Sequence, residues 1–161
     1  MLMNQKNLVA RRSARRASAV LETFFCVMLV LMPLSFGMVE FGYYFYVKHT
    51  LQGAAREGCR AGITPSGDNT DVTDAVVAYL KAAGLQTSST TLDTSKFTVK
   101  IESPLGTSCN SAALSAGSTL FVTVQGSWPT LGSGLRPMAL INGPGGTPKV
   151  VAGVTAMRKE G

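Results

Sequence analysis

The sequence has few of the residues from which catalytic and metal sites are built. His49 is the only histidine, and none of the three cysteines stands in a CxxC pair. A metal site needs several ligand-type side chains at short spacing, and a nucleophilic side chain needs a base beside it. The GPGG at 143–146 lacks the GK[ST] that a phosphate-binding loop requires. We therefore expect no catalytic residue, no metal and no cofactor, and a protein that is not an enzyme.

Acidic residues are missing from the beginning of the chain, where basic residues are concentrated. No acid precedes Glu22, whereas five of the 15 basic residues lie between positions 6 and 16. The other ten basic residues are nearly balanced by the nine acids, so most of the net charge of +6 comes from one N-terminal arm. There is no basic stripe interleaved with aromatic residues elsewhere, and we exclude nucleic acid as the main partner.

An uncharged apolar run of 17 residues, 23–39, follows the basic arm. With its apolar flanks it exceeds the roughly 20 residues that span a bilayer. A cleaved secretory signal would have a shorter apolar region, about 7–15 residues, ending at a small-residue site. Here the run ends in the aromatic-rich segment 40–50, which is typical of a membrane–water interface. We expect a retained single-pass anchor in the lipid bilayer, with the basic N-terminus in the cytoplasm and the C-terminal domain outside it.

The pattern along the chain predicts three parts. Residues 1–17 form a basic cytoplasmic leader, 18–62 form a transmembrane and stalk helix, and 63–161 form an extracytoplasmic domain. Pro33 removes one backbone hydrogen bond of the helix and is expected to kink it in mid-membrane. Beyond the interface, the rest of the helix would serve as a stalk or as a spine for the domain. The predicted fold class is α+β, a pseudopilin-like long helix followed by one helix packed on a three- to four-stranded antiparallel sheet.

The elements of the domain are predicted from periodicity. A short helix is expected at 70–83, with Thr70 or Asp71 as its N-cap. Apolar and polar residues alternate over 96–102, and apolar β-formers dominate 119–125 and 150–157, which predicts three strands. The connection 128–148 holds four prolines and five glycines. Its apolar residues either cover one face of the sheet, dock on a partner or dip into the membrane.

The cysteines outside the apolar run leave two alternatives. Cys59 and Cys109 both fall in the part expected outside the cytoplasm, where a disulfide is chemically permitted. The other possibility is a pair of unlinked thiols, and the residues alone favour the bridge only slightly.

Glu22 is the most informative polar residue, because an ionised carboxylate inside an apolar run is costly and usually functional. The alternative is structural, since an acid near a helix N-terminus is favoured by the helix dipole and its side chain can reach the cytoplasmic interface. Physics alone leaves these two interpretations equal. Glu40, at the other end of the run, is interpreted as an interfacial residue.

Two motifs make the N-terminal part of the chain recognisable. The first is VEFG at 39–42, which contains Glu40, Phe41 and Gly42. The second is AAREGCRAG at 54–62, which contains Arg56, Glu57, Gly58 and Arg60. Together with RRASAVLETFF before the apolar run, they resemble the TadE-like family of the tight-adherence (Tad/Flp) pilus machinery, a family of bacterial minor pseudopilins. The resemblance is specific over residues 11–62 and looser beyond them.

The resemblance implies a processing site and a role for Glu22. Prepilin-type peptidases cut on the cytoplasmic side after a small residue and leave a glutamate fifth in the mature chain. Counted from Ser18 as first, Glu22 is fifth, so the implied cut lies between Ala17 and Ser18. The freed amine would pair with the carboxylate of a neighbouring subunit inside the membrane, where either charge alone is costly. The sequence departs from the family pattern at Ala17, where glycine is typical, and at Thr23, where an aromatic residue is common.

The function that the resemblance implies is assembly of a Tad/Flp-type pilus or a related secretion filament, as a minor pseudopilin in the bacterial inner (cytoplasmic) membrane. The implied partners are other pseudopilins, inner-membrane platform proteins and a prepilin-type peptidase. The alternative from another class is a signal-anchored extracytoplasmic binding module that does not enter a filament. Dependence of pilus assembly on Glu22 would favour the first.

Overall fold

The computed structural model describes residues 3–87, 90–131 and 149–160, with side chains from Ser18 onward. Its elements are α1 (Met3–Gly62), α2 (Asn69–Ala82), β1 (Phe97–Glu102), a 3₁₀ turn (Ser111–Ala113), β2 (Thr119–Ser127), α3 (Trp128–Leu131) and β3 (Val150–Arg158). A long helix therefore precedes a small domain in which a helix and a three-stranded antiparallel sheet share one core. The predicted α+β class is confirmed.

Helix α1 begins earlier than the sequence pattern predicts and ends where expected. It starts at Met3, inside the segment assigned to the leader, and continues without interruption to Gly62. No proline or glycine lies between positions 3 and 17, and alanine, leucine, lysine and arginine in that stretch are good helix formers. Pro33 lies within the helix, which continues on both sides of it. The kink at Pro33 stays a prediction.

The sheet follows the predicted strands closely. Its order is β1-β2-β3, with Val99 of β1 opposite Val124 of β2 and Val124 opposite Gly153 of β3. Side chains alternate between the two faces of a strand, so Leu120, Val122 and Val124 of β2 all point to one face, where they are buried. That inner face lies against α1, which contacts β2, β3 and α2.

The core is built around the second half of α1, which acts as the spine of the domain. The buried apolar residues that form its core cluster are Val47, Leu51, Ala54, Ala55 and Cys59 of α1, Val72, Val76 and Leu80 of α2, Phe97 of β1, Leu120, Val122 and Val124 of β2, Leu131 of α3 and Val151 of β3. Small residues let the elements approach closely. A Cβ on Gly58 would lie 2.7 Å from Cγ2 of Val76, and a Cβ on Gly153 would meet the α1 backbone at Leu51 and Gln52.

The N-cap of α2 is Asp68, and the expectation of Thr70 or Asp71 is wrong. The Asp68 carboxylate accepts from the backbone N–H groups of Thr70 and Asp71 at 2.8 and 2.9 Å. Asp71 in turn accepts from the Asp68 N–H at 3.1 Å, which completes a capping box. The helix starts one residue early because this reciprocal pair satisfies the free N–H groups of its first turn.

Only the beginning of the 128–148 connection belongs to the described part of the chain. There it forms α3, whose Leu131 is buried in the core. The remaining apolar residues of the segment fall at 132–148, outside the described residues, so the alternatives weighed for them stay predictions.

Candidate functional site: the free helix and the base of the domain

From Ser18 onward, no other part of the described chain packs around the first half of α1. From Ser18 to Val39 every residue is exposed except the half-buried Gly37, and Leu29 and Met38 are more than 70% exposed. Within the described ranges, 3–87, 90–131 and 149–160, this helix is the one segment long and apolar enough to cross a membrane, with a mean hydropathy of 2.1. Such a surface is stable in a bilayer and not in water, so α1 has the properties of a single-pass membrane anchor.

The hydroxyl groups on the free helix are satisfied within the helix itself. Thr23 donates to the carbonyl oxygen of Ala19 at 2.9 Å, and Ser35 donates to that of Leu31 at 2.8 Å. Hydroxyls bonded to the carbonyl four residues earlier are tolerated in hydrocarbon, where an unsatisfied polar group is costly. These two residues therefore need no partner from another chain.

Glu22 is different, because its carboxylate is exposed on the apolar helix. It has no hydrogen-bond or ion-pair partner among residues 18–87, 90–131 and 149–160, whose side chains the structure describes. A carboxylate in this position needs a positive charge from outside the described chain or access to the interface. The chemistry that this site offers is charge pairing.

The bond between Ala17 and Ser18 lies within the helical backbone of α1. Ser18 is exposed, and the side chain of Ala17 lies outside the described set. Cleavage at this bond stays a prediction.

Glu40, interpreted from the sequence as an interfacial residue, is buried in the domain. Only 4% of it is accessible, and it is the first buried residue of α1 from Ser18 onward. The neighbouring Phe41 and Gly42 are exposed, so the VEFG motif is buried at its glutamate and exposed at the two residues that follow. The reason is the helical period, because Glu40 lies seven residues before Val47 and eleven before Leu51, on the face that α1 presents to the domain.

An aromatic cluster closes the domain immediately after Glu40. The Trp128 ring lies 6.0 Å from the ring of Tyr43 and 5.5 Å from the ring of Tyr44, centroid to centroid. Close by on α1, the Tyr46 hydroxyl donates to the carbonyl oxygen of Ala83 and ties α1 to the end of α2. We call the end of the domain formed by Tyr43, Tyr44, Tyr46, Trp128 and Ala83 the base.

The AAREGCRAG motif has a packed side and a solvent side. Gly58 and Cys59 are buried against the core, and glycine is required at position 58 for the contact with Val76. On the exposed side, Arg60 and Glu57 form an ion pair at 3.0 Å. Pairs of this kind on a helix surface contribute only about 0.2–0.5 kcal/mol. Arg56 is exposed, and the structure indicates no further role for the three charged residues of the motif.

Cys59 and Cys109 are free thiols in the structure, the second of the two alternatives that the sequence left open. The Cys59 thiol points into the core and donates to the carbonyl oxygen of Leu120 at 3.4 Å. Burial raises the pKa of Cys59 to about 11 and also raises the pKa of the partly exposed Cys109. Neither thiol is therefore activated as a nucleophile. Residues 3–87, 90–131 and 149–160 hold no group of three or more histidine, cysteine and acidic residues that could bind a metal.

Comparison with known proteins supports the resemblance noted in the sequence. Residues 17–60 match the model of the family described as TadE-like protein. The match begins at the implied cleavage site and ends within the AAREGCRAG motif, so it covers the apolar helix and the spine but not the rest of the domain. No curated protein and no solved structure matches the chain. Residues 17–60 are thus TadE-like, and a TadE-like segment suggests a protein associated with a Tad pilus.

The sequence alone did not reveal the base of the domain. Glu40 and the two tyrosines lie on the same helical face as Val47 and Leu51. The sequence does carry a signal for this, because the apolar face of the spine extends backward to position 40 at helical intervals. Trp128 lies 84 residues after Tyr44 in the sequence, so no local pattern predicts the contact between their rings.

Proposed function

We propose that this protein is a minor pseudopilin-like component in the assembly of a Tad/Flp-type pilus or a related secretion filament, in the bacterial inner membrane. The observation that carries the proposal is the free apolar helix with a solitary carboxylate, Glu22, at the fifth position after the implied cut. It stands inside the segment that matches the TadE-like family. Filament subunits that pack through their membrane helices need such a surface.

In this proposal the protein acts by assembly and not by catalysis. A prepilin-type peptidase cuts between Ala17 and Ser18, and the new amine pairs with Glu22 of a neighbouring subunit. Other pseudopilins contact the free helix, and platform proteins of the inner membrane receive the subunit. The N-terminus faces the cytoplasm, because the basic arm precedes the apolar helix, and the domain faces outward.

The test is deletion and complementation in the cell that makes the protein. Removing the chain should abolish surface pili, counted by electron microscopy, and the wild-type chain supplied from a plasmid should restore them. The amounts of the major pilus subunit in the membrane serve as the control, because an assembly component is needed after that subunit is made. Normal piliation in the deletion strain would refute the proposal and leave the signal-anchored binding module.

A further inference from the structure

The length of the free helix fixes the distance between the bilayer and the domain. The exposed stretch runs from Ser18 to Val39, and Glu40 is already buried in the domain. A helix of that length is roughly 33 Å long at ~1.5 Å per residue. The hydrocarbon core of a bilayer is about 30 Å thick. Once the free helix has crossed the hydrocarbon, no length remains for a stalk, and the domain begins at the level of the lipid headgroups.

The strand register identifies which end of the domain faces the membrane. Phe97, at the start of β1, lies opposite Gly126, and Gly126 lies opposite Val151, near the start of β3. Trp128 follows β2 at this same end of the sheet, and its backbone N–H donates to the carbonyl oxygen of Lys149 at 2.8 Å. Since Trp128 also contacts Tyr43 and Tyr44 of α1, this end of the sheet is part of the base.

The other end of the domain faces away from the membrane. Glu102 lies opposite Phe121 near the start of β2, and Thr119 lies opposite Arg158. There the backbone N–H of Glu160 donates to the carbonyl oxygen of Ile63, directly after the end of α1. We call this end the distal end.

The two ends differ in charge. Lys81, in the last turn of α2, and Lys149, before β3, are exposed at the base, and Lys96 stands beside the start of β1. The acids described near them are Asp93, whose carboxylate lies 3.6 Å from the Lys96 ammonium, and the buried Glu40, one turn of α1 before the aromatic cluster. The distal end carries the acids Asp68, Asp71, Glu102 and Glu160 and the basic residues Arg60, Arg158 and Lys159. Among the described residues, basic side chains therefore outnumber acids at the base, and acids outnumber basic side chains at the distal end.

We infer that the base is a lipid-binding surface, docked on the bilayer that α1 spans. Tyr43, Tyr44 and Trp128 lie in the interfacial layer, where amphipathic aromatic rings are favoured. Lys81 and Lys149 bind the phosphate groups of anionic phospholipids, because ammonium groups are attracted to a negative membrane surface. This inference depends on α1 spanning a bilayer and does not depend on a role in pili.

The sole tryptophan of the chain makes the inference measurable. The full chain is reconstituted in vesicles of phosphatidylcholine and phosphatidylglycerol, with bromine on the acyl chains close to the headgroup of one lipid or the other. Brominated lipid quenches only a tryptophan that lies against it. Trp128 fluorescence should be quenched, and more strongly when phosphatidylglycerol is the brominated lipid than when phosphatidylcholine is.

Two variants provide matched controls. Leu105→Trp combined with Trp128→Phe moves the tryptophan to the exposed turn after β1, at the distal end, and brominated lipid should not quench it. Lys81→Gln combined with Lys149→Gln keeps Trp128 in place, and quenching should persist while the preference for brominated phosphatidylglycerol is lost. Both lysines are exposed, so their replacement leaves the core unchanged.

Three outcomes would overturn the inference. Unquenched Trp128 in both lipid mixtures would mean that the base stands away from the bilayer or is covered by protein. Equal quenching by the two brominated lipids in the wild-type chain would mean that anionic headgroups are not bound. Equal quenching of tryptophan at positions 128 and 105 would mean that the domain does not rest on its base.

Discussion

Glu22→Ala should abolish incorporation of the protein into filaments while leaving its insertion in the membrane intact. Alanine is favourable in an apolar helix, so the anchor is retained. The loss arises in the assembled state, because the amine of the neighbouring subunit would be left without a countercharge inside the membrane. Breaking a buried pair in this way costs about 3–5 kcal/mol, enough to lower incorporation at least 100-fold. Incorporation is measured by immunoblotting sheared filaments and by cross-linking to partner subunits in the membrane.

Two further variants separate charge from shape in this experiment. Glu22→Gln keeps the size of the side chain without its charge and should fail in the same way. Thr23→Ala changes the adjacent residue, whose hydroxyl bonds to the Ala19 carbonyl of its own helix, and should be incorporated normally. If Glu22→Ala is incorporated like the wild type, the pairing role of Glu22 is wrong.

Gly153→Val should cause the largest loss of stability in the domain. Any side chain at position 153 meets backbone atoms of α1 at Leu51 and Gln52, which cannot move aside without displacing the spine from the sheet. Forcing extra atoms into a packed core typically costs 1–3 kcal/mol, and we expect at least about 3 kcal/mol here because the obstacle is backbone. The denaturant midpoint of the full chain in detergent, followed by Trp128 fluorescence, measures the change.

Ala156→Val is the matched control for this variant. Position 156 lies three residues further along β3, on the opposite and exposed face of the sheet. Valine is favourable on an exposed strand position, so the midpoint should stay within the range of ordinary surface changes, about 0.5 kcal/mol. A wild-type midpoint for Gly153→Val would show that α1 and β3 do not approach as described.

The fold was predictable where the sequence pattern is periodic. The strands were found within about two residues of their observed ends because alternating burial and β-branched residues mark them locally. The end of α1 at Gly62 was also found, since turn residues follow it directly. The start of α1 was missed, because the basic arm was interpreted by its charge, whereas its residues are also strong helix formers.

The candidate site was predictable only in its membrane part. Glu22 could be singled out because a carboxylate within an apolar run is apparent from the sequence and is costly in a membrane. The burial of Glu40 was not predicted, because an acid at the end of an apolar run has the same local pattern whether lipid headgroups or a protein domain surround it. Gly153 and the Trp128 contacts with Tyr43 and Tyr44 depend on elements far apart in the chain. Tertiary packing of that kind leaves no signal in one local window.

The central claim is that the chain is a processed membrane subunit anchored by its free apolar helix. The most direct test is the intact mass and N-terminal sequence of the protein isolated from its native membrane. The account predicts a mature chain that begins at Ser18, which places a free amine four residues before Glu22. A chain that retains the residues before Ser18 would contradict the pairing mechanism, and a chain that begins beyond Gly42 would contradict the membrane anchor itself.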